Sequence, residues 1–261
     1  MNGAADSQPQ ATYVSNEDMK RGVLFAMAIA ASTSAQARPI KVETKNSALE
    51  FTYEWSSEAA AVAALDRRFR AESAKAYREA LANAREDQAL ARQQKRDFNP
   101  EFYSMHWSTA GQTRRLLSLQ SQLGTFTGGA HPNSSDGALL WDRRLNQQIG
   151  MDALFLRKQA FGALTRIRYC VLLAGERQKR RDGEKFGGDF DQCPKYSELA
   201  IAPADKDKDG RFDTIAMLAS PYVAGPYVEG PYVIDLPITA AMIARLKPEF
   251  RASFGAQRPL Q

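Results

Sequence analysis

The stretch ADKDKDGRFDT sets Asp205, Asp207 and Asp209 at alternate positions, followed by Gly210, Arg211 and Asp213. Counted from Asp205, the first, third, fifth, seventh and ninth positions of a calcium loop fall on Asp205, Asp207, Asp209, Arg211 and Asp213, the seventh acting through its backbone carbonyl. Alternating carboxylates converge on one hard cation, and the glycine permits the sharp turn between them. The twelfth position is Ala216, where such a loop carries a bidentate glutamate, so this is not an EF-hand. Lys206 and Lys208 suit a solvated hairpin equally well. Two readings stand, a structural calcium clip of weak extracellular affinity, about 0.1 to 1 mM, and a bare turn.

Acid–base chemistry has fewer carriers. The two histidines are His106, on an alternating segment, and His131, inside TFTGGAHPNSSDG with Ser134 and Asp136 nearby. A Ser-His-Asp arrangement needs three groups converging in space, and neighbours in one turn seldom achieve that. The sequence has no Gly-x-Ser-x-Gly elbow, no His-Glu-x-x-His and no phosphate loop. No catalytic residue is assigned, and a hydrolase centred on His131 is kept as an alternative.

The other conspicuous pattern is SPYVAGPYVEGPYVIDLPI, in which Pro-Tyr-Val recurs at five-residue spacing from Pro221, Pro226 and Pro231. On a straight strand an odd spacing turns Tyr222, Tyr227 and Tyr232 to alternating faces. Each proline removes a ladder donor, and Gly225 and Gly230 permit bulges, which predicts an edge strand that bends repeatedly. His131, Asn133, Tyr222, Tyr227 and Tyr232 are the candidate ligand contacts.

The elements that must position these residues follow from periodicity. Ile40 to Trp55 alternates as a strand. Ser57 to Asp97 is Ala-, Glu- and Arg-rich, with Val62, Leu65, Phe69, Ala76 and Ala80 on one helical face. The arginines on its other faces are interspersed with Glu72, Glu79 and Glu86, the pattern of a solvated surface. Asn99-Pro100 ends that helix, Tyr103 to Thr109 and Leu117 to Leu123 read as paired strands, and Ala138 to Trp141 as a short one. Met151 to Arg177 reads as a helix. Three strand-like runs, Tyr196 to Ala202, Phe212 to Ala219 and Tyr227 to Leu236, precede a last helix from Thr239. Blocks of strands and helices without regular alternation give an α+β fold.

At the other end, Met19-Lys20-Arg21 precedes an apolar run, Gly22 to Ala31, too short to span a bilayer. Ala35-Gln36-Ala37 follows as a small-x-small cleavage site, so residues 19–37 read as a signal peptide, residues 1–18 as an upstream extension, and Arg38 as the mature N-terminus. The expected location is periplasmic or secreted, with no membrane span after cleavage. In that oxidising setting Cys170 and Cys193, the only cysteines, are expected to pair. The net charge of +5 favours acidic envelope surfaces. No recognition-helix, zinc-finger or RNA-binding signature marks a nucleic-acid partner.

In order along the chain, the Ala-rich helix feeding a hairpin, FTGGAHPN, SPYVAGPYVEGPYVIDLPI and LKPEF resemble the exported RsiV-like and PdaC accessory-module family, the region shared by an anti-sigma factor and a peptidoglycan deacetylase. The resemblance implies two neighbouring small α+β subdomains with antiparallel sheets and long helices, a PdaC-like one at residues 38–137 and an RsiV-like one at 138–261. It also implies lysozyme-like protein or peptidoglycan as partners. Neither relative's sigma-binding segment nor its catalytic domain is recognisable here, so the chain is expected to be the shared module exported alone.

Overall fold

The computed structural model describes residues 38–257; the expected extension and signal peptide lie outside the described residues. β1 (Ile40–Lys45) and β2 (Leu49–Trp55) form an antiparallel hairpin where the sequence reads as a single strand. Asn46 makes the turn, its Oδ1 accepting the amides of Ala48 and Leu49 at 2.9 and 3.0 Å. Along β2 the alternation is strict, with Leu49, Phe51, Tyr53 and Trp55 buried.

A short helical turn, α1 (Ser57–Ala60), is capped by the Ser56 side chain on the Ala59 amide. The chain then enters α2 (Ala63–Gln93), whose inner face carries Leu65, Phe69, Ala84 and Ala91. At 1.5 Å per residue α2 is about 46 Å long. It carries the chain back to the start of β2, so β3 (Glu101–Gln112) runs parallel to β2, from Leu49 opposite Glu101 to Trp55 opposite Trp107. A parallel pair requires such a crossover, and it makes this sheet mixed. β4 (Leu116–Phe126), β5 (Asn133–Asp142) and β6 (Gln147–Ile149) extend it as an antiparallel meander, giving six strands in chain order.

The second sheet is antiparallel, β7 (Ala200–Ala204), β8 (Thr214–Ala219) and β9 (Tyr232–Pro237), backed by α3 (Ala160–Arg180) and followed by α4 (Ala240–Ala244). The helix expected from Met151 begins only at Ala160. Met151–Leu154 is a 3-10 turn, and Gln159 takes a left-handed conformation (φ 62°) that interrupts any continuous helix. Cys170 on α3 is bonded to Cys193 in the loop that follows.

β4 and β5 are apolar on both faces. Leu117, Leu119, Leu139 and Trp141 pack with Phe51, Trp55 and Phe69 under α2, whereas Leu116 and Leu140 point the other way into a core with Phe161, Tyr169, Met217 and Phe250. This is the α+β architecture read from the sequence, with its two halves sharing a sheet. Among the described residues no helix is long and apolar enough to cross a membrane.

Candidate binding site

The Pro-Tyr-Val repeat is mostly not strand. Pro221 to Gly225 form a turn closed by Tyr222 N–H to Gly225 O and Val223 N–H to Ser220 O, both 3.0 Å. Tyr227–Glu229 is a 3-10 turn, and only the third copy enters β9, which is indeed a sheet edge. Proline and glycine have turned the chain twice before pairing begins. The three tyrosines therefore obey no strand alternation.

Arginines at the end of α3 hold these turns. Arg177 Nε donates to Ala224 O at 2.8 Å. Arg180 Nη1 donates to Glu229 O and Pro231 O at 2.7 and 2.9 Å and covers the Tyr232 ring at 4.0 Å. Tyr232 is buried, its hydroxyl donating to Glu229 Oε2. Burial, then the hydrogen bond to the Glu229 carboxylate, push its phenol above the ordinary range. Tyr232 belongs to the scaffold.

Tyr222 and Tyr227 face outward, ring centroids 5.8 Å apart, and His131 joins them from the loop between β4 and β5. The imidazole stacks on Tyr227 at 3.8 Å and 16°, and the Tyr222 hydroxyl lies 3.4 Å from its Nε2. Tyr222, half exposed at 53%, has a positive φ of 71°. A tyrosine there stores about 1 to 3 kcal/mol of strain, which persists only where the surroundings fix it. Asp136 at the base of the same loop is tied to this segment, its amide donating to Ser220 Oγ at 2.7 Å and its carboxylate accepting the Ser220 hydroxyl at 3.1 Å. Two of the stretches that carried the family resemblance, FTGGAHPN and SPYVAGPYVEGPYVIDLPI, thus meet in one half-exposed aromatic cluster. Asn133, at the start of β5, is exposed and is not among the groups the cluster brings together.

The arrangement gives His131 no catalytic partner of the triad kind. Its Nδ1 lies 2.9 Å from Pro132 O, and among the described residues no hydrogen bond joins it to Ser134 or Asp136. His106 lies on β3, 3.6 Å from Glu54, remote in the chain from that loop.

A carboxyl group that the sequence reading passed over sits nearby. Glu101, at the start of β3, is 97% buried (3% exposed), its Oε1 has no hydrogen-bond partner, and burial together with the Asp87 carboxyl pushes its pKa up to about 7. Both line a cavity of about 370 Å³ with Phe98, Phe126 and Gly129 of the His131 loop. The only sequence signal was a charged residue starting a strand just after a helix-breaking proline.

The aspartate loop joins β7 to β8. Asp205, Asp207 and Asp209 each offer a carboxylate oxygen within 4.8 Å of the others, the spacing a hard cation needs, and Asp205 Oδ1 is buried without a partner. Asp213 is committed elsewhere: it is buried, and its two oxygens accept the amides of Lys206 and Asp207 at 3.1 and 3.2 Å. The Arg211 guanidinium pairs with Asp209 at 2.6 Å. Among the described residues this is the grouping of three side chains able to hold a metal, and it contains no histidine.

Residues 40–134 match the family model described as Deacetylase PdaC. This segment is similar to the PdaC type. It comprises β1 to β4 with α1 and α2, and it ends as β5 begins. The PdaC-type segment and the second sheet together share a fold with solved DUF3298 family proteins. One, from Pseudomonas aeruginosa PAO1, aligns with a TM-score of 0.52 at 14% identity over 85% of this chain and 98% of its own. Another, from Bacteroides fragilis NCTC 9343, aligns at 0.51 and 14% identity over 83% and 96%. No curated protein sequence matches the chain.

Proposed function

We propose that this chain is an exported cell-envelope binding module, and that it recognises wall glycan through the aromatic cluster of His131, Tyr222 and Tyr227. The observation that carries the reading is the convergence of those three rings from two separate segments, with Tyr222 in a strained backbone conformation. Partly exposed, pre-positioned aromatic rings offer flat apolar faces with polar edges, the surface that stacks on sugar rings or anchors a protein loop at little entropic cost. Export rests on the Ala35-Gln36-Ala37 site, and the bonded cysteine pair agrees with it. The deacetylase activity named by the family model forms no part of this reading.

The test is co-sedimentation with purified peptidoglycan beside a pull-down with lysozyme. Tyr222→Ala with Tyr227→Ala should weaken retention about tenfold or more. Capture by lysozyme alone, sensitive to the same pair, moves the reading to a protein partner. Undiminished binding by the variant, or none by the parent, removes the cluster from consideration.

One observation favours a second reading. A carboxyl group still protonated near neutral pH and lining a cavity has the properties of a general acid. A hydrolase would therefore be centred on Glu101 and Asp87 in preference to His131. Release of soluble wall fragments, abolished by Glu101→Gln, is its signature.

A further inference from the structure

The far end of the β4–β5 pair holds an unassigned cluster of cations. Because Leu116 pairs with Asp142, the turn before β4 and the turn after β5 lie side by side, and Arg143 N–H donates to Arg115 O at 2.8 Å. Each turn carries an Arg-Arg dipeptide, Arg114-Arg115 and Arg143-Arg144. With the C-terminal 3-10 segment Pro248–Ser253 they line a cavity of about 690 Å³.

The cluster is built, not incidental. Asp142 is fully buried and organises it: Oδ2 accepts Arg115 Nε and Nη2 at 3.0 and 2.9 Å, while Oδ1 accepts the amides of Arg144 and Leu145 at 2.8 and 3.1 Å. Burial alone would raise the Asp142 pKa, yet Arg115 and those two amides outweigh it and hold the carboxylate ionised. Arg115 is further fixed over the Phe250 ring at 4.1 Å and on Glu249 O at 3.1 Å. Thr113 and Ser253 hydroxyls, 2.9 Å apart, close the floor.

What remains is positive charge in excess of its counter-ions: Asp142 answers Arg115, Glu58 acts on Arg143 only through its field, and Arg143 Nη2 donates to the neutral Gln112 Oε1 at 2.9 Å. Among the described residues Arg114, Arg143 and Arg144 form no ion pair, and Arg143 Nε is buried with no acceptor. The lining carboxylate is Glu249, against four guanidinium groups. Guanidinium forks match phosphate and carboxylate oxygens, and several together suit a group of more than one negative charge. The volume exceeds what a free inorganic ion fills and lies within the range of small-molecule sites.

We propose that this cavity binds a phosphate ester, the phosphoryl group held by Arg114, Arg143 and Arg144 and the remainder of the molecule lying towards Ala252. The shared chemistry has two sources, a soluble sugar phosphate and the headgroup of a phospholipid. The site stands apart from the aromatic cluster, at the opposite end of β4, about 30 Å away by strand length. Its fate is independent of the glycan reading.

Isothermal titration with glucose 1-phosphate and with pyrophosphate, and flotation with phosphatidic acid vesicles against phosphatidylcholine vesicles, test it on the whole chain. Arg114→Gln with Arg144→Gln removes two exposed side chains that support no other described contact, so the fold should persist, as circular dichroism checks. Arg67→Gln with Arg78→Gln on the exposed face of α2 makes the same charge change elsewhere. Binding of a soluble ester that falls about tenfold or more in the first variant and is unchanged in the second is expected for a free phosphate ligand. The same pattern confined to vesicles assigns the lipid headgroup. No binding at millimolar ligand, or equal loss in both variants, overturns the proposal. If the double variant fails to fold, Arg114→Gln alone is held to the same criterion.

Discussion

Arg181 and Glu229 meet as a fork on a fork, Nε to Oε1 at 2.6 Å and Nη2 to Oε2 at 2.9 Å, with 3% and 7% of their side chains exposed. The pair fastens the end of α3 to the turn between the second and third Pro-Tyr-Val copies. Removing one partner of a buried pair leaves the other charged and unsolvated. Arg181→Ala should therefore cost about 3 to 5 kcal/mol in urea unfolding, and Arg181→Met with Glu229→Leu considerably less. Burial opposes ionisation of Glu229, but Arg181 and Tyr232 outweigh it and hold its pKa below the ordinary value. A depressed folded pKa gives stability that is present above the unfolded pKa and lost as pH falls through the folded one. The pair should thus weaken only in acid.

Gly225 makes room for that fork. A Cβ at this position would fall on the Glu229 carboxylate and crowd Arg181. Gly225→Ala is expected to destabilise by about 1 to 3 kcal/mol through the displaced pair, whereas Gly230→Ala meets no neighbouring atom and is disfavoured only by its positive φ of 68°. Comparing the two melting temperatures separates steric from backbone causes.

Glu101 predicts a pH dependence of the opposite sign. Its folded pKa is raised to about 7, so the folded state holds the proton more tightly than the unfolded chain and stability falls as pH rises from 4.5 towards 7. The full effect is on the order of 3 kcal/mol at most. Thermal melts across this range should lose several degrees that Glu101→Gln retains. Parallel curves for the two proteins would show that Glu101 titrates normally.

The bond between Cys170 and Cys193 closes a span of 23 residues. The chain-entropy account puts its contribution at about 3 kcal/mol, so reduction or a Cys170→Ser, Cys193→Ser variant should lower Tm by several degrees. Alkylation of unreduced, denatured protein should label neither thiol.

Calcium decides between the two readings of the aspartate loop. If Asp205, Asp207 and Asp209 hold the ion, tenfold excess over Kd stabilises the folded state by about 1.4 kcal/mol, and Asp207→Ala abolishes the gain. A Tm indifferent to calcium and to chelator leaves a solvated turn.

The sequence was most legible where one local rule dominates. Alternation marked β2, the apolar stripe marked α2, and two cysteines left a single pairing. It was least legible where distant segments meet. The parallel pairing of β2 with β3 depends on the length of α2, which no pattern in either strand records. Strand alternation was the wrong rule for the tyrosines, because the turns at Tyr222 and Tyr227 precede any pairing. The arginine cavity is built from two dipeptides in separate turns, each unremarkable until the register of β4 and β5 sets them together.

That shared pair of strands also decides how the molecule can be divided. The family match stops at residue 134 and β5 begins at Asn133, so a fragment trimmed to the matched segment would leave β4 paired with β3 alone, strip its other edge of β5 and bare Leu116 on one face. An eleven-residue strand with an open ladder and an apolar side seeks another strand, and another copy of the fragment would be the nearest available. Such a piece would assemble edge to edge or precipitate, and its behaviour in a binding assay would report that stickiness in place of recognition.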